Sequence, residues 1–345
     1  MNEHNVGTTA TALAAAPVAD VAPRRLRIAR LRDFALVPAI VLIIVVGHFV
    51  SPVFLARANL INILQQQSEI SLIVLGEALV LISGKLDLSL ESTVGLAPGI
   101  AAWLILPKVP GHGQGVQLAG AWAIPIALAV GVAAGAFNGL LIVKFKLNAF
   151  IVTLGMLITL RGLLEGVSHG QTFFGLPPSM LYLGQHSFWG LPLAVWLSLT
   201  LFVVGIVFLG YSRHGRALYA IGGNVDAAKA AGVRTDRVLW IALIIASTLA
   251  AFSGVLLSGR LASVAAGTGN GMIFTVFAAA VIGGVSLDGG KGTIFGAFCG
   301  ILLLFLVQNV LQLAGVKPDW LKFLNGVIIL SALVMSRIAS GQAQD

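Results

Sequence analysis

The chain has 345 residues, of which 58% are hydrophobic and 10% charged, and its mean hydropathy is +0.97; soluble proteins carry about 25% charged residues, so this is an all-α integral membrane protein. Its net charge of +8 sits in short basic clusters beside apolar stretches, a pattern of membrane topology rather than of nucleic-acid binding. The single cysteine, Cys299, excludes an intrachain disulfide and a cysteine-based metal site.

Residues 1–33 are Ala-rich, without periodicity, and end in Arg24, Arg25, Arg27, Arg30 and Arg32. They read as a disordered basic cytoplasmic tail. A cleavable signal would put its charge first and a shorter apolar segment directly after. Residues 34–337 form the membrane domain, in which ten apolar stretches approach the ~20 residues a helix needs to span a bilayer. They run from Phe34 to Pro52, Leu60 to Ile82, Leu88 to Leu106, Ala119 to Val143, Leu147 to Val167, Trp189 to Tyr211, Asp236 to Ser258, Gly271 to Ser286, Thr293 to Ala314 and Asp319 to Arg337. The third and eighth are glycine-rich and polar at one end, as broken or re-entrant helices are. Residues 338–345 form a cytoplasmic C-terminal tail.

Along this map the second span holds Glu77, with no Lys or Arg within a helical turn. It either faces a water-filled path, meets a partner on another helix, or is protonated. After that span, Asp87, Ser89 and Glu91 alternate in a turn that is either a gate or a helix N-terminus whose acids satisfy free amides. Asn138 in the fourth span, with Gln308, Asn309 and Gln312 in the ninth, either lines a polar path or joins helices. Arg161 and Glu165, four apart, are placed to pair on one helical face.

Between the sixth and seventh spans, residues 212–236 are basic and helix-prone. Gly222-Gly223 breaks the segment, Asn224 caps a short helix carrying Asp226, Ala227 and Ala228, and Gly232 ends it. Its small alanines let a partner approach closely, so the segment is either a docking handle or a solvated connection.

With the N-terminus inside, fifteen of the 21 Lys and Arg fall in inner segments and four in outer ones, which puts both termini in the cytoplasm. A shift of two hundred positions aligns Ala78, Ile82, Gly84, Thr93 and Ala97 with identical residues, as expected of two duplicated halves with interrupted helices. No catalytic constellation is visible. Gly84-Lys85 and Gly290-Lys291 both lack the earlier glycine and following Ser or Thr of a phosphate loop, so the chain is not an ATPase and needs no cofactor.

Four segments in order carry a resemblance: LVLISGKLDLSLEST, NGLLIVKFKLNAFIVTLGMLITLRG, GRALYAIGGNVDAAKAAGV and AAAVIGGVSLDGGKGTIFGAFCGILLL. From about Phe34 to Arg337 the chain resembles the permease subunits of bacterial ATP-binding cassette importers for monosaccharides, of the ribose, xylose and arabinose class. The resemblance implies a multi-pass protein of the cell inner membrane and a core of two permeases, with a homodimer expected. It also implies an ATP-hydrolysing subunit on the cytoplasmic face and a soluble sugar-binding protein outside; lipid, and no nucleic acid, completes its surroundings. In such importers an acidic-Ala-Ala with glycine six positions later docks on the ATPase, and Asp226, Ala227, Ala228 and Gly232 match. Where the family commonly reads Gly-Gly-Ile-Asp-Leu-Ser-Val-Gly, this chain has Lys85 and Glu91 in place of two glycines, a departure that bears on gating and cargo. The rival is an ion-coupled carrier with Glu77 and Asp87 as ion sites.

Overall fold

The computed structural model describes residues 36–108 and 113–317, together with seven residues between 320 and 334. The predicted N-terminal and C-terminal tails lie outside the described residues. So does most of the tenth apolar stretch, although Trp320, Phe323 and Leu330 within it are helical.

The described chain is mostly helical. In order come α1 (Val37–Val50), α2 (Arg57–Ile82), α3 (Leu90–Ile105), a 3-10 turn (Gly120–Trp122) that leads into α4 (Ala123–Gly139), and a π-turn (Leu140–Lys144). Then follow α5 (Ala149–Ser168), α6 (Pro178–Gln185), α7 (Leu193–Tyr211), α8 (Arg213–Gly223), α9 (Val225–Ala230), α10 (Thr235–Leu261), α11 (Met272–Ile282) and α12 (Ile294–Leu313). Among the described residues five helices are long and apolar enough to cross a membrane: Gly120–Lys144, α5, α7, α10 and α12. α1, α3 and α11 are apolar but shorter, at 14, 16 and 11 residues.

α2 has the length to span, since 26 residues rise about 39 Å, but not the apolarity. Gln65, Gln66, Gln67, Glu69 and Glu77 dilute it. The reason is its position: nearly all of its second half is buried among other helices, where polar side chains find protein partners instead of lipid. α10 is the other central pillar, packed on α2, α3, α4 and α6. Backbones come close because the facing residues are small: a Cβ at Gly76 of α2 would lie 2.9 Å from Ala246 Cα, and one at Gly135 of α4 would lie 2.6 Å from Ile244 Cα. Around them Leu81, Ile82, Leu243, Ala279 and Ile301 form the buried apolar centre.

The connection between α5 and α7 is built up with short structure. β1 (Phe173–Phe174) pairs antiparallel with β4 (Ser263–Val264), and β2 (Ser187–Phe188) with β3 (Leu191–Pro192). Between these pairs α6 rests against the C-terminal end of α10, so the segment covers one end of the bundle. The opposite end of α10 begins directly after α9.

Candidate functional site

At that second end two short helices stand in series, each started by a side chain. Ser212 accepts the Gly215 N–H to begin α8, which buries Gly215, Leu218 and Ile221 and leaves Arg213 and Arg216 exposed. Asn224, in extended backbone, accepts the Ala227 N–H at 2.9 Å to begin α9. Gly232 then takes a φ of +81°, which lets its own N–H reach Lys229 O and the Val233 N–H reach Ala228 O. The result is a fixed knob. Ala228 is 3% exposed and seats it on the protein, whereas Asp226, Ala227, Lys229 and Ala230 face outward. Gly222 and Gly223, read as a break, are the last two residues of α8, and the chain turns extended at Asn224 immediately after them.

Just inside this end a polar cluster is completely buried. Asp87 Oδ1 accepts the backbone N–H and the hydroxyl of Ser89, at 3.0 and 2.6 Å. Asn138 Nδ2 donates to Ser89 Oγ at 2.8 Å and to Asp87 Oδ2 at 3.2 Å, bringing α4 to the turn between α2 and α3. Glu77 Oε1 accepts the Asp87 N–H at 3.3 Å. Thus Glu77, Asp87, Ser89 and Asn138, separate in the sequence map, form one constellation. Turn backbone and neighbouring amide supply what the absent basic residue would have supplied to the acids, while Glu77 Oε2 and Asn138 Oδ1 have no partner among the described residues.

The other candidates lie elsewhere. Asn309 and Asn59 exchange two hydrogen bonds at 2.9 Å, and Asn59 also donates to Phe54 O at 2.8 Å. Asn59 and Glu77 are 18 residues apart on α2, roughly 27 Å along its axis, so Asn309 is far from the cluster and joins α2 to α12. Gln308 is half-buried beside it on α12, and Gln312 is exposed.

Glu91 does not face the cluster. It belongs to the first turn of α3, where Oε1 lies 3.5 Å from Arg161 Nη2 and Oε2 accepts the Ile273 N–H at 3.2 Å. This corrects the expected pairing of Arg161 with Glu165. The guanidinium turns across to Glu91 and donates Nη1 to Thr268 O and Ala266 O at 2.7 and 3.2 Å, protein acceptors that replace the water its half-buried position excludes. A second pair escaped the sequence reading altogether: Arg260 Nε donates to Glu69 Oε1 at 2.6 Å, with the Glu69 side chain 1% exposed. The signal was present in an acid inside one apolar stretch and a base just beyond another, 191 positions apart.

Residues 59–333 match the family described as branched-chain amino acid transport system, permease component. A ribose import permease of Escherichia coli strain K12 is 33% identical over 301 residues, covering 86% of this chain and 91% of the relative. An autoinducer 2 import system permease of Klebsiella pneumoniae subsp. pneumoniae is 36% identical over 304 residues, covering 88% of this chain and 86% of the relative. No solved structure matches the chain. With four-fifths of its length in the family match and no catalytic role for the subunit itself, the chain belongs to the permease components of ATP-binding cassette importers, multi-pass proteins of the inner membrane that work with an ATP-binding subunit and a substrate-binding protein.

Proposed function

We propose that this permease moves a monosaccharide or similar small polyol into the cytoplasm by alternating access, powered by an ATP-hydrolysing subunit that docks on α9. The observation that carries the reading is the knob itself: a helix capped by Asn224, closed by Gly232 and seated through Ala228, yet presenting Asp226 and Ala227 outward. A carrier powered by an ion gradient has no use for it. The cargo class follows the relatives, whose names specify ribose and autoinducer 2 and which align with most of this chain.

In this reading the α9 end is cytoplasmic, together with both termini, which fits the fifteen-to-four distribution of Lys and Arg. The buried Asp87, Ser89 and Asn138 tie the turn after α2 to α4 and act as the gating turn, with Glu77 as its anchor. The short α3 and α11 serve as the broken spans of two related halves. A second copy of the chain packs on α5, of whose span only 22% is buried, against 61% for α10. Its outward face carries Gly155, Gly162 and Gly166 with open space in front of each, the small residues by which membrane helices approach one another. Lipid covers α1, where Leu42 and Phe49 are 61% and 82% exposed.

The test is copurification from the native cell. A tagged chain is expected to bring down one ATP-binding subunit, and Ala227→Trp, which enlarges an exposed residue, is expected to lose that subunit while the chain remains in the membrane. A chain that brings down no ATPase, or an Ala227→Trp chain that keeps it in full, contradicts the reading.

A further inference from the structure

Three glycine segments that are distant in sequence meet under the docking knob. A Cβ at Gly222, in the last turn of α8, would overlap Ile82 O and Gly290 N. One at Gly289 would lie 2.7 Å from Gly84 Cα and 3.0 Å from Gly222 Cα, and one at Gly290 would lie 2.9 Å from Gly223 Cα. The contact is therefore backbone on backbone, with no side chain in between to absorb a displacement. It is also bonded: Gly290 N donates to Ile82 O at 2.9 Å, and the Tyr219 hydroxyl of α8 donates to Gly292 O at 2.7 Å. Gly84, Gly289 and Gly290 have φ of +76°, +86° and +69°, so both turns fold into this contact through conformations that favour glycine.

The connections out of the contact give it a purpose. Gly222 is two residues before the Asn224 cap of α9. Gly84 lies between α2 and the Asp87 cluster, and its N–H and that of Lys85 close the end of α2 on Leu81 O and Val80 O. Gly289 and Gly290 lie between α11 and α12. Any shift of α8 and α9 thus presses at once on the turn after α2 and on the turn after α11.

We propose that Gly84, Gly222 and Gly289-Gly290 form a rigid backbone joint that transmits movement of the docking helix simultaneously to both turns of the membrane domain. The inference rests on α9 being the ATPase-docking element. Gly222 and Gly223 make an internal comparison, because they are adjacent in one helical turn and differ in surroundings: a Cβ at Gly223 meets nothing within 4 Å.

The experiment compares Gly222→Ala with Gly223→Ala in the complete importer, reconstituted with its ATPase and binding protein. It reads ATPase retention, ATP hydrolysis, and cargo taken up per ATP hydrolysed. Both variants are expected to keep the ATPase. Gly222→Ala is expected to lose uptake per ATP on the order of tenfold, and Gly223→Ala to stay close to the unsubstituted protein. Equal behaviour of the two variants, or normal uptake per ATP in Gly222→Ala, overturns the joint. If the unsubstituted chain does not hold the ATPase, it is the docking reading that fails. Should Gly222→Ala not reach the membrane, Tyr219→Phe decides: it adds no atom, removes the hydroxyl donated to Gly292 O, and is expected to lower uptake per ATP several-fold, whereas an unchanged ratio overturns the proposal.

Discussion

Glu91 of α3 caps α11 across 182 positions of sequence, its Oε2 accepting the backbone N–H of Ile273 at 3.2 Å. An acid at a helix N-terminus satisfies a free amide and meets the positive end of the helix dipole. The Arg161 guanidinium at 3.5 Å balances the remaining charge. The arrangement gives the Glu91 carboxylate a structural role: it joins α3, α5 and the short α11 at one point.

Removing Arg161 leaves a buried carboxylate with a single amide donor, and removing Glu91 leaves a half-buried guanidinium with carbonyl acceptors but no counter-charge. Glu91→Ala or Arg161→Ala is expected to destabilise the purified chain by about 3–5 kcal/mol. The double variant should cost less than the sum of the two by about 1–3 kcal/mol. Thermal unfolding in detergent checks both figures, and strict additivity would show that the two side chains do not interact.

The Glu69–Arg260 pair predicts a graded series. Arg260→Ala strands a carboxylate that is 1% exposed, with a loss of about 3–5 kcal/mol, whereas Arg260→Lys keeps the charge and loses only the fixed geometry of the guanidinium. The Tm in detergent should therefore fall in the order unsubstituted, Arg260→Lys, Arg260→Ala. Substitution at exposed Arg213, on the other end of the bundle, should leave it unchanged.

Gly232 provides the local test of the docking knob. At a φ of +81° a side chain costs on the order of 1–2 kcal/mol, and nothing lies within 4 Å to add a steric penalty. Gly232→Val should consequently insert normally while uptake falls much further than membrane abundance does. Full uptake in this variant would remove α9 from the coupling route.

Orientation is open to direct labelling. Cysteines at Gln171 and Asn224, in a Cys299→Ser background, should react with an impermeant reagent from opposite sides. Gln171 should label from outside in intact cells and Asn224 only after lysis. Outside labelling at Asn224 would invert the topology.

The parts of this architecture that were legible in the sequence are those encoded by neighbours. Asn224, Asp226 and Gly232 specify a capped and terminated short helix within nine residues, and the structure contains it. The apolar stretch from Ala119 to Val143 likewise becomes Gly120–Lys144. What was not legible depends on partners far along the chain. Arg161 has an acid four residues away, yet it turns to Glu91 because α3 brings a buried carboxylate to it and the loop after β4 brings two carbonyls. Asn309 reads in the sequence as either a path residue or a joint between helices, and the partner that bears on the choice, Asn59, lies 250 positions away. The polarity of α2 is a consequence of burial among helices, which no window of hydropathy records.

The central claim, that this permease takes its energy from a partner ATPase through α9, is tested most directly by uptake into vesicles carrying the complete importer with proton and sodium gradients collapsed. Uptake is expected to require ATP together with the binding protein and to persist without either gradient. Glu77→Gln, which keeps an oxygen for the Asp87 N–H, should leave it largely intact. Uptake by the purified chain alone, independent of ATP and abolished by an ionophore or by Glu77→Gln, would contradict the claim.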